Sequence, residues 1–264
     1  MERLKRLIKN KTICIALHGK SIEELETNIE FFDSNNICWI SVNSFDIIED
    51  YILNKINKKL DIIYCGAYFF PKIEKEIRIP KLINAFDKGA FVIAKQYIFT
   101  EIFPQNGIDG LDKIFKKQLL FLEEVFPNNK TFSLMEVLSK NTVSSIGYLL
   151  CILSIAGAEK IILFGFDGLN EQTSDILQTY YKADIQTNRR ILPEFKNRID
   201  EFHEEYFCAI KGDTFHFNNT FPTYYAMCME QFNISKLPQI FNCSLNSNFE
   251  VFEKISYNRA KELI

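Results

Sequence analysis

Apolar residues in this chain fall in short runs, separated by polar stretches with helical spacing, and the alternation recurs along its length. The first run is Ile13-Cys14-Ile15-Ala16-Leu17. Unbroken apolar character over so few residues is the pattern of a strand buried on both faces. The run ends in a turn, His18-Gly19-Lys20, where Gly19 lets the backbone bend sharply or come close to a ligand. Ser21 followed by Glu24 has the spacing of a capping box, which predicts a helix from Ser21 to about Asp33. The turn would then offer bare backbone N–H groups and the positive end of a helix dipole to an anion beyond the strand. An ordinary strand-turn-helix connection with no ligand has the same pattern, and one glycine does not decide between them.

The same reading predicts strands at 37–42, ending at Asn43, at 60–65, ending at Gly66, and at 90–94. Residues 44–55 have helical spacing, residues 95–112 read as a loop with Pro104, Gly107 and Gly110, and Asp112–Val125 reads as an amphipathic helix. A buried helix starts near Ser144, Ser145 and Gly147 and closes at Gly157, and a strand follows over Lys160–Phe164. Residues 169–214 are polar, with Tyr180, Tyr181, Arg189 and Arg190 followed by a charged helix, and read as an inserted lid. A polar loop holds His216, a helix is expected over Tyr224–Phe232, a last strand over 239–244, and a surface helix in the tail from Asn246.

Strands alternating with helices predict an α/β fold: a Rossmann-like, doubly wound, mostly parallel sheet over 1–168 and 215–264, with the helical lid at 169–214. In such sheets the ligand crevice lies outside the carboxyl ends of the strands. His18, Asn43, Cys65 and Asp167 are therefore expected on one edge.

Composition narrows the class. The chain has 264 residues, 47% hydrophobic and 25% charged, enough for a sizeable core. A net charge of −3 argues against a general nucleic-acid binder, which carries a basic face. The seven cysteines are odd in number and scattered, with no Cys-x-x-Cys pair, so they read as reduced, buried thiols of a cytoplasmic protein. The basic start (Arg3, Lys5, Arg6, Lys9, Lys11) has no apolar core of signal-peptide length, and no apolar run approaches the roughly 20 residues that span a bilayer. That start reads as a solvated helix face, with peripheral membrane contact the alternative.

Three histidines are present. His203 reads as solvated on a charged helix. His18 stands at the head of the first helix, where it can donate to a ligand oxygen. His216 lies between the lid and a helix, where an imidazole can act as general base near neutral pH or simply bond to a backbone carbonyl. The motifs GxGxxG, GxxxxGK followed by Ser or Thr, GxSxG and HExxH are absent, and no carboxylate–histidine cluster has metal-ligand spacing, so no metal or cofactor is expected.

Taken in order, these stretches resemble the small bacterial lipooligosaccharide sialyltransferases and the related motility-accessory-factor-type glycosyltransferases. The likeness covers most of the chain. The family's opening Gly-Asn-Gly-Pro-Ser turn corresponds to Leu17-His18-Gly19-Lys20-Ser21. Its Cys-Asn strand end corresponds to Val42-Asn43, and its Tyr-Asn-Pro-Gly to Tyr64-Cys65-Gly66. Its Thr-Ser helix and Ser-Gly-Ile-Asp strand end correspond to Val143-Ser144-Ser145 through Gly165-Phe166-Asp167. Its lid tyrosines correspond to Tyr180 and Tyr181, and its basic histidine to His216 ahead of Asn218-Asn219-Thr220. Asn141 or Thr142 stands where the family has an arginine near the donor carboxylate. His18, Lys20 and Cys65 replace Asn, Pro and Asn.

The resemblance implies a metal-independent, inverting glycosyltransferase. It would move sialic acid or another nonulosonic acid from a CMP-activated donor to a glycan hydroxyl, without a cofactor. It implies His216 as base and Tyr180 and Tyr181 as phosphate donors. His18, Gly19, Ser21, Asn43, Cys65, Ser144, Ser145 and Asp167 would hold the donor. The changed donor-side positions leave room for another activated sugar. A homo-oligomer and peripheral contact with the inner membrane are further expectations from the family. A magnesium-dependent pterin pyrophosphokinase on the same scaffold, and a non-catalytic nucleotide-sugar-binding module, are the alternatives.

Overall fold

The computed structural model describes residues 1–17, 19–28, 34–43, 60–66, 79–105, 107, 109–126, 145–168 and 213–264, without the side chains of 20, 102 and 213–216. Its centre is one eight-stranded sheet in the order β5-β4-β3-β2-β1-β6-β7-β8. The strands are β1 (Thr12–Ala16), β2 (Ile37–Val42), β3 (Ile62–Cys65), β4 (Phe91–Ala94), β5 (Leu119–Phe121), β6 (Lys160–Phe164), β7 (Gln239–Asn242) and β8 (Glu253–Lys254). Every ladder is parallel. The chain winds outward from β1 to β5, then returns to the other side of β1 for β6 to β8. The order therefore reverses between β1 and β6. The expected α/β, Rossmann-like, doubly wound sheet is what the chain forms, and strands from both sides of residues 169–212 belong to it.

Among the described residues the helices are α1 (Glu2–Ile8), α2 (Glu23–Glu26, after a 3-10 turn at Lys20–Ile22), α3 (Ile79–Asp87), α4 (Phe103–Gln105, continuing a π turn at Ile98–Ile102), α5 (Leu111–Ile114), α6 (Leu122–Val125), α7 (Ser145–Ile155), α8 (Asp213–Gln231) and α9 (Tyr257–Glu262). Side chains alternate across the sheet with the two-residue period of a strand. Ile13, Ile15, Ile40, Ile62, Tyr64, Ile93, Ile161 and Leu163 face a core shared with α1, α7 and α8. Cys14, Ala16, Trp39, Ile162 and Phe164 face α2 and α9. Ile63, Cys65, Val92 and Ala94 face α3, α4 and α5. Both faces are covered over β1 to β4, so those strands are apolar nearly throughout.

Four expectations change. The stretch 112–125 is not one helix: Leu119–Phe121 pairs with β4 as strand β5, flanked by α5 and α6. Its Leu and Phe residues fit either period, and the open edge of β4 decides. Residues 95–112 are largely helical, because Phe99 and Phe103 bury against α3. Helix α8 begins at Asp213, so His216 lies in its first turn and not in a loop. Pro222 and the Asn pair disguise a helix whose Phe217 and Phe221 are buried. The tail carries the edge strand β8 before its helix, so β7 is not the last strand.

Helix α1 sits away from the carboxyl ends of the strands. Arg3 donates to the Lys117 carbonyl ahead of β5 and lies over the Phe91 ring at 5.7 Å, while Lys5 pairs with Glu2 at 2.9 Å. The six described cysteines are buried. No helix among the described residues is long and apolar enough to cross a membrane.

Candidate functional site

The carboxyl ends of β1 and β6 meet where the strand order reverses, the usual place for a ligand in this architecture. The ladder runs on past both strands. Leu17 N donates to Phe164 O (2.9 Å) and Gly19 N to Gly165 O (2.8 Å). Glycine is required on both sides of this close approach. Gly165 has φ +69° and a Cβ there would lie 2.5 Å from Leu17 O; a Cβ on Gly19 would lie 2.5 Å from Asp167 Cγ and 2.6 Å from Gly165 O.

Asp167 is held at the head of the turn. Its Oδ2 accepts the Ser21 N–H at 2.8 Å, its Oδ1 accepts the Ser21 hydroxyl, and the same Oδ1 accepts the Ser244 hydroxyl at 2.6 Å. The expected capping box is therefore replaced. The carboxylate that takes the Ser21 N–H comes from the end of β6, not from Glu24, and the residue before α2 is Ile22. The expected bare anion site is replaced with it, because the N–H groups of Gly19, Ser21 and Ile22 are each bonded within the protein. Burial, and then the charge of Asp167, push the Glu24 carboxyl above its usual range. A phosphate at this turn would meet the charge of Asp167.

A second layer of polar residues wraps the end of β6. Asn242 Nδ2 and Ser247 Oγ both donate to Phe166 O, at 2.9 and 2.6 Å. Asn248 N donates to Asp167 O at 2.6 Å, and its amide to Gly168 O at 3.1 Å. Asn218 extends the chain of contacts to α8: its amide donates to Asn248 O at 2.9 Å and its oxygen accepts Glu250 N at 3.0 Å. Phe217 stacks on Phe221 (4.4 Å) and meets Phe166 edge-on (5.4 Å), while Phe166 stacks on Phe249 (3.7 Å). Such ring pairs each add about 0.5–1.5 kcal/mol beyond burial. Together they fix the first turns of α8, and with them the backbone of His216, at the β6 end of the sheet.

Asn43 closes the neighbouring strand end. It has φ 55°, its N–H donates to Tyr64 O at 2.8 Å, and its side-chain oxygen accepts the Gly66 N–H at 3.1 Å. Cys65 differs from expectation, since its thiol is buried in the core under α3 and only its backbone lies at the edge. Ser145 opens α7, which runs antiparallel to the strands and so begins at the same edge. His18, Ser144, Tyr180, Tyr181, Arg189, Arg190 and His203, with the lid itself through residue 212, lie outside the described residues.

Gly19, Ser21, Asn43, Ser145 and Asp167 thus share one sheet edge with the backbone of His216. Sequence reasoning missed Ser244 and Asn248, and it quoted Asn218 after His216 without the role it has here. The only trace Ser244 and Asn248 leave is the run of Asn and Ser from Asn242 to Asn248, at the end of a strand and just beyond it. Among the described residues no cluster of three His, Cys, Asp or Glu side chains is arranged to hold a metal ion. No family model matches this chain, and neither a curated protein nor a solved structure matches it.

Proposed function

We propose that this protein is a metal-independent, inverting glycosyltransferase that uses a nucleotide sugar, in first place a CMP-activated nonulosonic acid, and a glycan hydroxyl as acceptor. The reading is supported above all by the setting of His216. That residue lies two positions before Asn218, which is bonded through Asn248 to the end of β6, beside the reversal of strand order. In the proposed reaction the imidazole of His216 takes the proton of the acceptor hydroxyl as it attacks the anomeric carbon, and the nucleotide phosphate leaves from the opposite face. An imidazole with a pKa near 6.5 suits that step at neutral pH.

The brace of Asp167, Ser21 and Ser244 has a different part from the anion cradle expected of that turn. It fixes the floor of the crevice, and its carboxylate accepts hydrogen bonds where a phosphate would need donors. Donors for the leaving phosphate are then sought in Tyr180 and Tyr181. The same occupied turn favours a second reading, a nucleotide-sugar-binding module without turnover.

Incubation with CMP-sialic acid and other nucleotide sugars in excess chelator separates the readings. Slow release of free nucleotide is expected of the transferase. Binding without release marks the module, and activity only with magnesium points to a pyrophosphoryl-transfer enzyme.

A further inference from the structure

A second polar cluster lies at the carboxyl ends of β3, β4 and β5, on the face covered by α7. Tyr64 is fully buried on that face, and its hydroxyl has no hydrogen-bond partner among the described residues. The ring leans toward the sheet edge: a Cβ built on Gly66 would lie 2.4 Å from Tyr64 Cε1 and 2.8 Å from its Oη. Lys95 stands beside it. The β3–β4 register pairs Tyr64 with Ile93 and Cys65 with Ala94, and Lys95 N donates to Cys65 O at 3.4 Å, so Lys95 is level with Gly66. It follows Phe91 and Ile93 at the same two-residue spacing and so falls on the same face as Tyr64.

The Lys95 ammonium is half-buried, and among the described residues it has no hydrogen-bonded or ion-paired acceptor. Burial lowers its pKa, against the weaker pull of Glu123. Glu123, at the start of α6, already accepts Gln96 N at 2.9 Å. The Tyr64 phenol stays protonated, held up by burial and then by the neighbouring Tyr148 and Cys65. Helix α7 brings Tyr148 and Cys151 against Tyr64. A partly desolvated cation and a buried O–H donor left without an acceptor lie on one face at the ends of β3 and β4. Each is costly in the free protein and each is relieved by an oxyanion.

We propose that Lys95 and Tyr64 form, at the ends of β3 and β4 and apart from the Asp167 brace, an oxyanion-binding site that takes a phosphate or a carboxylate. The Lys95 ammonium supplies the charge and Tyr64 Oη donates the directing hydrogen bond. The site stands without sugar transfer, since a protein that turns over nothing would still bind the anion.

The test is calorimetric titration of the full chain with inorganic phosphate, CMP and N-acetylneuraminate, using wild type, Lys95→Met and Tyr64→Phe. Lys95→Met should weaken the bound probe about ten- to a hundredfold, and Tyr64→Phe about three- to tenfold, in line with charged and neutral hydrogen bonds. Both variants should melt at or above the wild-type temperature, because each removes a buried polar group without a partner. Weakening confined to phosphate and CMP identifies a phosphate site, and weakening confined to N-acetylneuraminate a carboxylate site. Absence of binding by all three probes, or binding unchanged in both variants, overturns the proposal. Nucleotide release from CMP-sugars is a separate readout, so loss of the transferase reading leaves this result standing.

Discussion

Asp167 and Ser21, 146 residues apart, are joined by two hydrogen bonds: the carboxylate accepts both the N–H and the hydroxyl of Ser21. The pair staples the exit of β6 to the exit of β1 at the point where the sheet changes direction. A carboxylate from another strand has taken the place a bound anion would fill.

Replacing Asp167 with Ala leaves the Ser21 N–H and the hydroxyls of Ser21 and Ser244 without their acceptor. Hydrogen bonds to charged groups contribute about 1.5–3 kcal/mol each, and the freed donors regain some of that from water at this half-buried site, so a loss of about 3 kcal/mol is expected. Urea unfolding would show it as a lower midpoint with unchanged slope. A midpoint within error of wild type would mean that the brace contributes nothing to stability.

Two glycines with the same backbone sign should respond differently to Ala. Gly157 has φ +86° with nothing within 4 Å of a built Cβ, so Gly157→Ala should cost about 1 kcal/mol, the price of the left-handed conformation alone. Gly165 has φ +69° and a Cβ would also press on Leu17 O at 2.5 Å. Gly165→Ala should therefore cost at least about 1–3 kcal/mol more, since the strand exits must part. Equal losses would show that the close approach of the two exits is not a constraint.

Glu24 sets a pH dependence. Burial and the Asp167 charge raise its folded pKa above the ordinary 4.5, so the folded state holds the proton more tightly than the unfolded chain. The resulting stability is complete below the unfolded pKa and is lost as pH rises through the folded one. Glu24→Gln should thus match wild type near pH 4 and exceed it at pH 7, with the gap opening between. Unfolding free energies across that range give the answer, and a gap that closes as pH rises would reverse the sign.

Much of the fold was legible because parallel strands buried on both faces leave an unmistakable trace. Ile13 to Leu17, Ile37 to Val42 and Lys160 to Phe164 read as strands without help, and their order with the intervening helices pointed to the doubly wound sheet. Leu119 to Phe121 did not, since four apolar residues between Lys117 and Glu123 fit a helix as well as a strand, and only the free edge of β4 selects one. The start of α8 was hidden by Asn218, Asn219 and Pro222, residues that end helices unless tertiary contacts hold them. Here Phe217 and Phe221 do so.

Within the site, strand ends were foreseeable and partners were not. Asp167 was expected at its edge, but nothing local says that its carboxylate is spent on Ser21 and Ser244. Cys65 ends a strand as expected, yet strand alternation turns its thiol into the core. The hydroxyl of Tyr64, left without an acceptor, could not be seen in a strand that reads as plain apolar sequence.

The central claim is that His216 serves as the base for sugar transfer at the β1–β6 edge. Its most direct test is the rate of CMP release from CMP-sialic acid, with a glycan acceptor and excess chelator, for wild type and His216→Ala of equal thermal stability. A fall of about a hundredfold or more in the variant is the predicted result. Equal rates in the two proteins, or no release by wild type from any CMP-linked sugar, would contradict it.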